Sequence, residues 1–290
     1  MTSNDHALFD MSRARARAVL APEEEAHPGL YELRYVRPQR VFDIDDDADG
    51  TVSAEHLGLT REEGMRLLRR IDDIRAAVVD ALLGDSALTA AIARVPDPGG
   101  SIAVVGDSMS ADRLGWAELL GGLLTSLRPE LVLRSTARGG DTTLDALSRF
   151  HLAAAHRPAV VIQLIGANDA RRHGFGLAVP MCSPDDTRRG LRGLRAMCGH
   201  LGARRVVFTP LAGDERGSVV NRHGASWLPS DIEAVSELVL EVDPEATNLH
   251  ASAVRLPSEE FLLADGLHPT LAGQVWLLHR VVAALSDAWR

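Results

Sequence analysis

The chain contains no lysine, so every one of its 31 basic side chains apart from histidine is an arginine. That absence excludes a Ser–Lys dyad, a lysine Schiff base and a Walker-type phosphate loop, each of which needs an ammonium group. Cysteine is nearly absent as well: Cys182 and Cys198 are the only two. The stretch between them, SPDDTRRGLRGLRAM, reads as a helix that would hold them roughly 20 Å apart at about 1.5 Å per residue. That separation argues against a disulfide, and two thiols without a companion pair do not form a zinc site. They read as buried or idle thiols. No apolar run approaches the ~18 residues of a membrane-spanning helix. The opening stretch, MTSNDHALFDMSRARARAVLAPEEE, lacks an apolar signal core and a small-residue cleavage site, so the expectation is an untargeted, cytoplasmic protein. A formal net charge of −9 and the lack of a polybasic arm argue against nucleic acid or an anionic membrane as partner.

What is present suffices for one large domain, or one domain with a small appendage: 290 residues, 46% of them hydrophobic. RVPDPGG, residues 94–100, separates two textures. Residues 1–98 read as a mostly helical N-terminal appendage with an Asp-rich loop. Within it TREEGMRLLRRIDDIRAAVVDALLG repeats Leu67, Leu68, Ile71, Ile74, Val78 and Leu82 at helical spacing. Gly84 falls where a C-cap glycine belongs, and Asp85 or Ser86 where the next helix is capped.

Residues 99–290 alternate. Short apolar runs at 101–106, 131–137, 159–166 and 204–211 read as strands. Amphipathic runs at 113–127, 142–156, 184–200, 230–241 and 270–287 read as helices. That alternation predicts an α/β fold with a central parallel sheet covered on both faces, and a ligand site at the carboxyl ends of its strands.

Gly-Asp-Ser occurs twice, ending at Ser86 and at Ser108. The first copy has a structural account as a helix cap. The second follows the strand-like SIAVV and precedes a helical run, so Ser108 stands at the mouth of the sheet. Alone, it reads equally well as a turn in which Asp107 or Ser108 caps a helix. Near the C-terminus, DGLHP spaces Asp265 three residues before His268. Such a carboxylate can accept from imidazole Nδ1–H and leave Nε2 to take a serine proton. Gly140, after the second strand, can present a backbone N–H without a side chain in the way, and Asn168, after the third, an amide NH2.

The series GDSMS, GDTT, GAND and DGLHP, in this order and each after a strand, resembles the SGNH (GDSL) hydrolase family over residues 100–290. The resemblance implies a flavodoxin-like three-layer α/β/α sandwich and a serine esterase or acyl hydrolase. It implies Ser108 as nucleophile, His268 as base and Asp265 as its orienter. The oxyanion hole would be the Ser108 and Gly140 N–H groups with Asn168. The second block departs from the usual pattern, reading ARGGDTT with Arg138 and a double glycine; Gly140 is favoured over Gly139 because it precedes DTT. The G-x-S-x-G elbow of α/β-hydrolases is absent from the chain.

This chemistry needs neither a metal nor an organic cofactor, and the expected partner is a small-molecule ester or acyl substrate. Arg171, Arg172 and His173 lie in a long loop just after Asn168 and are candidates for binding a carboxylate or phosphate. The alternative is that they form surface salt bridges. Trp227 could wall a pocket or cover the core. FDIDDDADGTVSAEHLG aligns Asp45, Asp47 and Asp49 with the first positions of an EF-hand loop, but His56 stands where a bidentate Glu belongs. A hairpin turn at Asp49–Gly50 accounts for it equally well. Two further functions use other premises: transfer of the acyl group to an alcohol or amine, and a non-catalytic binding or regulatory module.

Overall fold

A computed structural model describes residues 2–35, 37, 51–97, 99–174, 177–221 and 223–288. The first hundred residues contribute helices α1 (Thr2–Val19), α2 (Pro22–Glu25), α3 (Pro28–Tyr35), α4 (Thr51–His56), α5 (Arg61–Leu83) and α6 (Ser86–Ala93). The alternating part opens with β1 (Ser101–Gly106), α7 (Ser108–Ala111), α8 (Trp116–Leu127) and β2 (Leu133–Ser135). It continues with α9 (Thr143–Ser148), α10 (Phe150–Ala154), β3 (Pro158–Leu164), β4 (Arg171–His173) and β5 (Leu177–Pro180). Then come α11 (Pro184–Leu201), β6 (Arg204–Phe208), β7 (Ala225–Trp227) and α12 (Pro229–Val242). The chain closes with α13 (Leu249–Ala253), α14 (Ser258–Phe261) and α15 (Leu271–Asp287).

The main sheet is parallel, in the order β2-β1-β3-β6. Its central strands are apolar on both sides because both faces are covered, and period-two alternation divides their side chains between two cores. Ile102, Val104, Val160 and Ile162 join the cluster that contains Trp116, Leu120, Trp276 and Val281. Ala103, Val105 and Val161 face the other way, onto Phe150, Leu194 and Cys198. The result is the three-layer α/β/α arrangement expected of the pattern.

The strand limits are shorter at the edge than the apolar text: the 131–137 run yields only Leu133–Ser135, whose edge position leaves one side without a ladder partner among the described residues. The 142–156 run is two short helices meeting at Arg149. The loop after Asn168 contains β4 and β5, which form with β7 a small antiparallel sheet in the order β5-β4-β7. In the helical part, the cap of α6 is Asp85, whose carboxylate accepts from Ala87 and Leu88 N–H, and Ser86 is the first helical residue. Gly84 is the C-cap of α5, as its position suggests, with a right-handed φ of −76°. Both cysteines are buried free thiols, pushed up by burial to about 12 at Cys182 and about 11 at Cys198. Asp45, Asp47, Asp49 and Gly50 lie outside the described residues, and the calcium reading stays an expectation.

The helices before β1 do not pack as a separate body. Phe9, Leu20, Leu30, Leu33, Ile71, Ile74 and Leu82 belong to the same buried cluster as β1, α8 and α15. A polar seam runs through that contact. Arg34 is fully buried; its Nε donates to Asp112 Oδ1 at 3.0 Å and one terminal nitrogen to Asp112 Oδ2 at 2.5 Å. Its other terminal nitrogen meets Glu25 Oε1 at 2.9 Å, and Pro269 O accepts a further bond at 3.3 Å. Glu25 in turn accepts Leu271 N–H at the start of α15. A buried ion pair adds little over an apolar pair, but removing one partner strands the other charge. Arg34→Met is therefore expected to lower the unfolding free energy by about 3–5 kcal/mol in urea titration; a loss below about 1 kcal/mol would show that Asp112 is not held as a buried charge.

Candidate active site

At the carboxyl end of β1 the chain turns tightly. A Cβ on Gly106 would lie 2.6 Å from Leu164 O and 2.6 Å from Ser110 Oγ, so only glycine lets the strand turn here. Asp107 caps α7 by accepting Met109 N–H at 3.1 Å. Burial pushes its carboxyl up to about 7. Ser108, the first residue of α7, is half-buried.

His268 Nε2 stands 2.8 Å from Ser108 Oγ, and His268 Nδ1 stands 2.6 Å from Asp265 Oδ2. These groups come from positions 160 residues apart and meet because the turn before α15 lies at the mouth of β1. The turn is built by Asp265 itself. Its Oδ1 accepts Leu267 and His268 N–H, both at 2.9 Å, and Gly266 takes the left-handed φ of +65° between them. Burial pushes the Asp265 carboxyl up, but the His268 charge and the bonds from His268 and Tyr31 outweigh it and hold the group well below the carboxylate range. An ionised carboxylate only accepts, so Nδ1 carries the proton and neutral His268 presents Nε2 to the serine hydroxyl. For His268, burial favours the neutral ring, yet the Asp265 charge and hydrogen bond outweigh it and raise the pKa above 6.5. The base form therefore gains as pH rises through a value above that of an ordinary imidazole.

Gly140 has φ +87°, a conformation that glycine adopts without strain. Neither its N–H nor that of Ser108 donates to any group among the described residues. Asn168 is buried and donates from Nδ2 to Asp141 O at 3.1 Å, which uses one of its two amide protons and fixes the group's direction. Gly139 sits between Ser108 and the end of α3: a Cβ there would be 3.9 Å from Ser108 Cβ and 4.0 Å from Tyr35 O. Acidic side chains hold these strand-end loops together. Asp141 pairs with Arg138 and Arg149, while Asp169 accepts from Thr143 N, Thr143 Oγ1 and Thr187 Oγ1.

The remaining candidates separate. Arg171 is half-buried, its Nε is buried without a partner among the described residues, and a terminal nitrogen would lie 3.5 Å from a Cβ on Gly140. Burial lowers its pKa. Arg172 is not available to a ligand: Asp231 takes its Nε at 2.5 Å and a terminal nitrogen at 3.0 Å. His173 is exposed on the small sheet. Trp227 is half-buried against the main core and pairs directly with Arg171 across β7 and β4. No group of three or more metal-ligating side chains occurs among the described residues.

Two residues at the site are absent from the sequence reading. Tyr31 donates from its hydroxyl to Asp265 Oδ2 at 2.6 Å, and the Tyr35 ring packs on the His268 ring with centroids 4.5 Å apart. Both lie on α3, beyond the motif-bearing text; only their shared helix face, four residues apart, hints at a common task.

Residues 99–276, well over half of the chain, match the model of the GDSL-like lipase/acylhydrolase family. The chain belongs to that family. It is an ester hydrolase of the SGNH type, and its fold is the family's. Among solved structures, the lipase/acylhydrolase from Enterococcus faecalis is 23% identical with a TM-score of 0.50, over 63% of this chain and 93% of its own. A catalytic mutant of an acetylxylan esterase from Geobacillus stearothermophilus is 19% identical with a TM-score of 0.51, over 64% and 94%. At these identities the likeness concerns the fold. A search of curated proteins finds no match. Helices α1 to α6 precede the stretch that the GDSL family model matches.

Proposed function

We propose that this GDSL-family chain cleaves the ester of a small molecule through an acyl-enzyme on Ser108. The observation that carries the reading is the unbroken hydrogen-bond chain from Ser108 Oγ through His268 to Asp265. Ser108 Oγ attacks the ester carbonyl while its proton passes to His268 Nε2. The negative charge that develops on the carbonyl oxygen is met by the Ser108 and Gly140 N–H groups and the free proton of Asn168 Nδ2. Collapse of the tetrahedral intermediate breaks the ester C–O bond, and the alcohol leaves with the proton held on His268. Water then repeats the sequence and releases the acid. Ser108→Ala is expected to lower hydrolysis of short p-nitrophenyl esters by at least about 10³-fold, while Ser86→Ala, a change on the first turn of α6, leaves it intact. Full activity in Ser108→Ala would dismiss the site.

On the substrate side, we infer that Arg171 receives an anionic group. Directly paired residues of an antiparallel ladder share a face, so Arg171 and Trp227 lie together, and each has a buried N–H with no partner among the described residues. A guanidinium in this position suits a carboxylate or phosphate on the substrate. In Arg171→Ala, the ratio of kcat/KM for an ester bearing a terminal carboxylate to that for its neutral analogue is expected to fall about tenfold or more. An unchanged ratio would remove Arg171 from substrate recognition.

A further inference from the structure

Tyr31 and Tyr35 are the only two tyrosines in the chain, and both rings stand against the His268 imidazole. We propose that Tyr31 is a positioning residue for the Asp265–His268 pair, donating to the carboxylate oxygen that receives His268 Nδ1–H, with the Tyr35 ring fixing the imidazole from one face. The proposal rests on the reading of Ser108 and His268 as nucleophile and base, and it adds a part of the site supplied from outside the GDSL-matched stretch.

Asp265 accepts four hydrogen bonds. Oδ1 takes the two backbone N–H groups of its own turn, and Oδ2 takes His268 Nδ1–H and the Tyr31 hydroxyl, each at 2.6 Å. A carboxylate has about four lone-pair sites, so the Tyr31 bond completes the set and fixes the plane from which His268 is held. The phenol is a permanent donor: burial and the Asp265 charge push its pKa above the ordinary value near 10. The Tyr35 ring lies 4.5 Å from the imidazole at 41°, and Tyr31 meets Tyr35 edge-on at 5.4 Å. An imidazole in this cage keeps Nε2 aimed at Ser108.

Helix α3 presents these groups together because residues 31, 34 and 35 have i, i+3, i+4 spacing. Arg34, between the two tyrosines in sequence, clamps the same helix face to Asp112, four residues after Ser108, and to Pro269 O, next to His268. Arg113 adds bonds to the carbonyls of Leu33 and Arg34. The helix is thereby anchored to both motifs that it positions.

Loss of the phenol donor leaves more of the Asp265 charge to act on His268, which stabilises the imidazolium. The other charges near the pair are Asp107 and Asp112 toward His268, Arg216 toward Asp265, and Glu32 and Arg34 toward Tyr31. A Tyr31→Phe change leaves them in place, so the acid limb of kcat/KM should move to higher pH.

In full-length Tyr31→Phe, kcat is expected to fall about tenfold with KM changed less than about twofold. The acid limb should shift upward by several tenths of a pH unit, and the far-downfield proton resonance of His268 Nδ1–H should move. In the unsubstituted protein labelled at tyrosine Cζ, one of the two resonances should follow the His268 titration. An unchanged kcat, acid limb and Nδ1–H resonance, in a protein that Ser108→Ala still inactivates, would overturn the role of Tyr31 alone. If Ser108→Ala remains active, the underlying reading falls. The Nδ1–H and Cζ resonances need no turnover: movement of both then supports the positioning contact, and invariance of both refutes it.

Discussion

The structure depends on an ion pair that water does not reach. Arg34 and Asp112 are both fully buried, and their two-pronged contact is extended by Glu25, Pro269 O and the Gln274 amide. Neither charge could persist there alone, so folding must bring the N-terminal helices and the segment after Ser108 together. The absence of lysine fits this demand, since a planar guanidinium can serve two carboxylates and a carbonyl at once where an ammonium acts as a point. Around this pair the apolar residues of α1, α3 and α5 enter the core of the sheet's helical layer. What begins as a prefix to the family domain is thereby part of one packed body with it.

That constraint reaches the chemistry through short covalent distances. Asp112 closes the turn begun at Ser108, and Pro269 follows His268, so the pair braces the serine and the imidazole from behind. At the front, the strand-end loops carry acidic residues that are satisfied by their own neighbours: Asp141 by Arg138 and Arg149, Asp169 by threonine hydroxyls and a backbone N–H. The loops bearing Gly140 and Asn168 are thus fixed before any substrate arrives. In the proposed mechanism, donors held in this way need no reorientation as charge develops on the carbonyl oxygen.

Much of this was legible from the chain. Apolar runs punctuated by glycine and proline mark the buried strands, because a strand covered on both faces must be apolar throughout; β1, β3 and α11 follow the text almost to the residue. Ser108 stands out because its motif falls at the end of β1; Asp265 and His268 stand out by their three-residue spacing alone, since their turn follows α14 and not a strand. Other features depend on partners far away in sequence. β2 is shorter than its apolar run because it lies at the sheet edge, and Arg172 is taken up by Asp231, 59 residues on. Tyr31 and Arg34 carry no local signature, since a tyrosine or arginine on an amphipathic helix has many ordinary uses. Their task emerges only when α3 meets a turn more than two hundred residues later.

The central claim is that one serine forms the acyl-enzyme, and covalent trapping tests it most directly. The full-length protein is treated with a fluorophosphonate, its intact mass is measured, and the adduct is mapped by peptide sequencing. A single adduct on Ser108, lost when His268 is replaced by alanine, is the predicted result. An adduct on Ser86, or none on Ser108 under conditions where the ester is hydrolysed, would contradict the account.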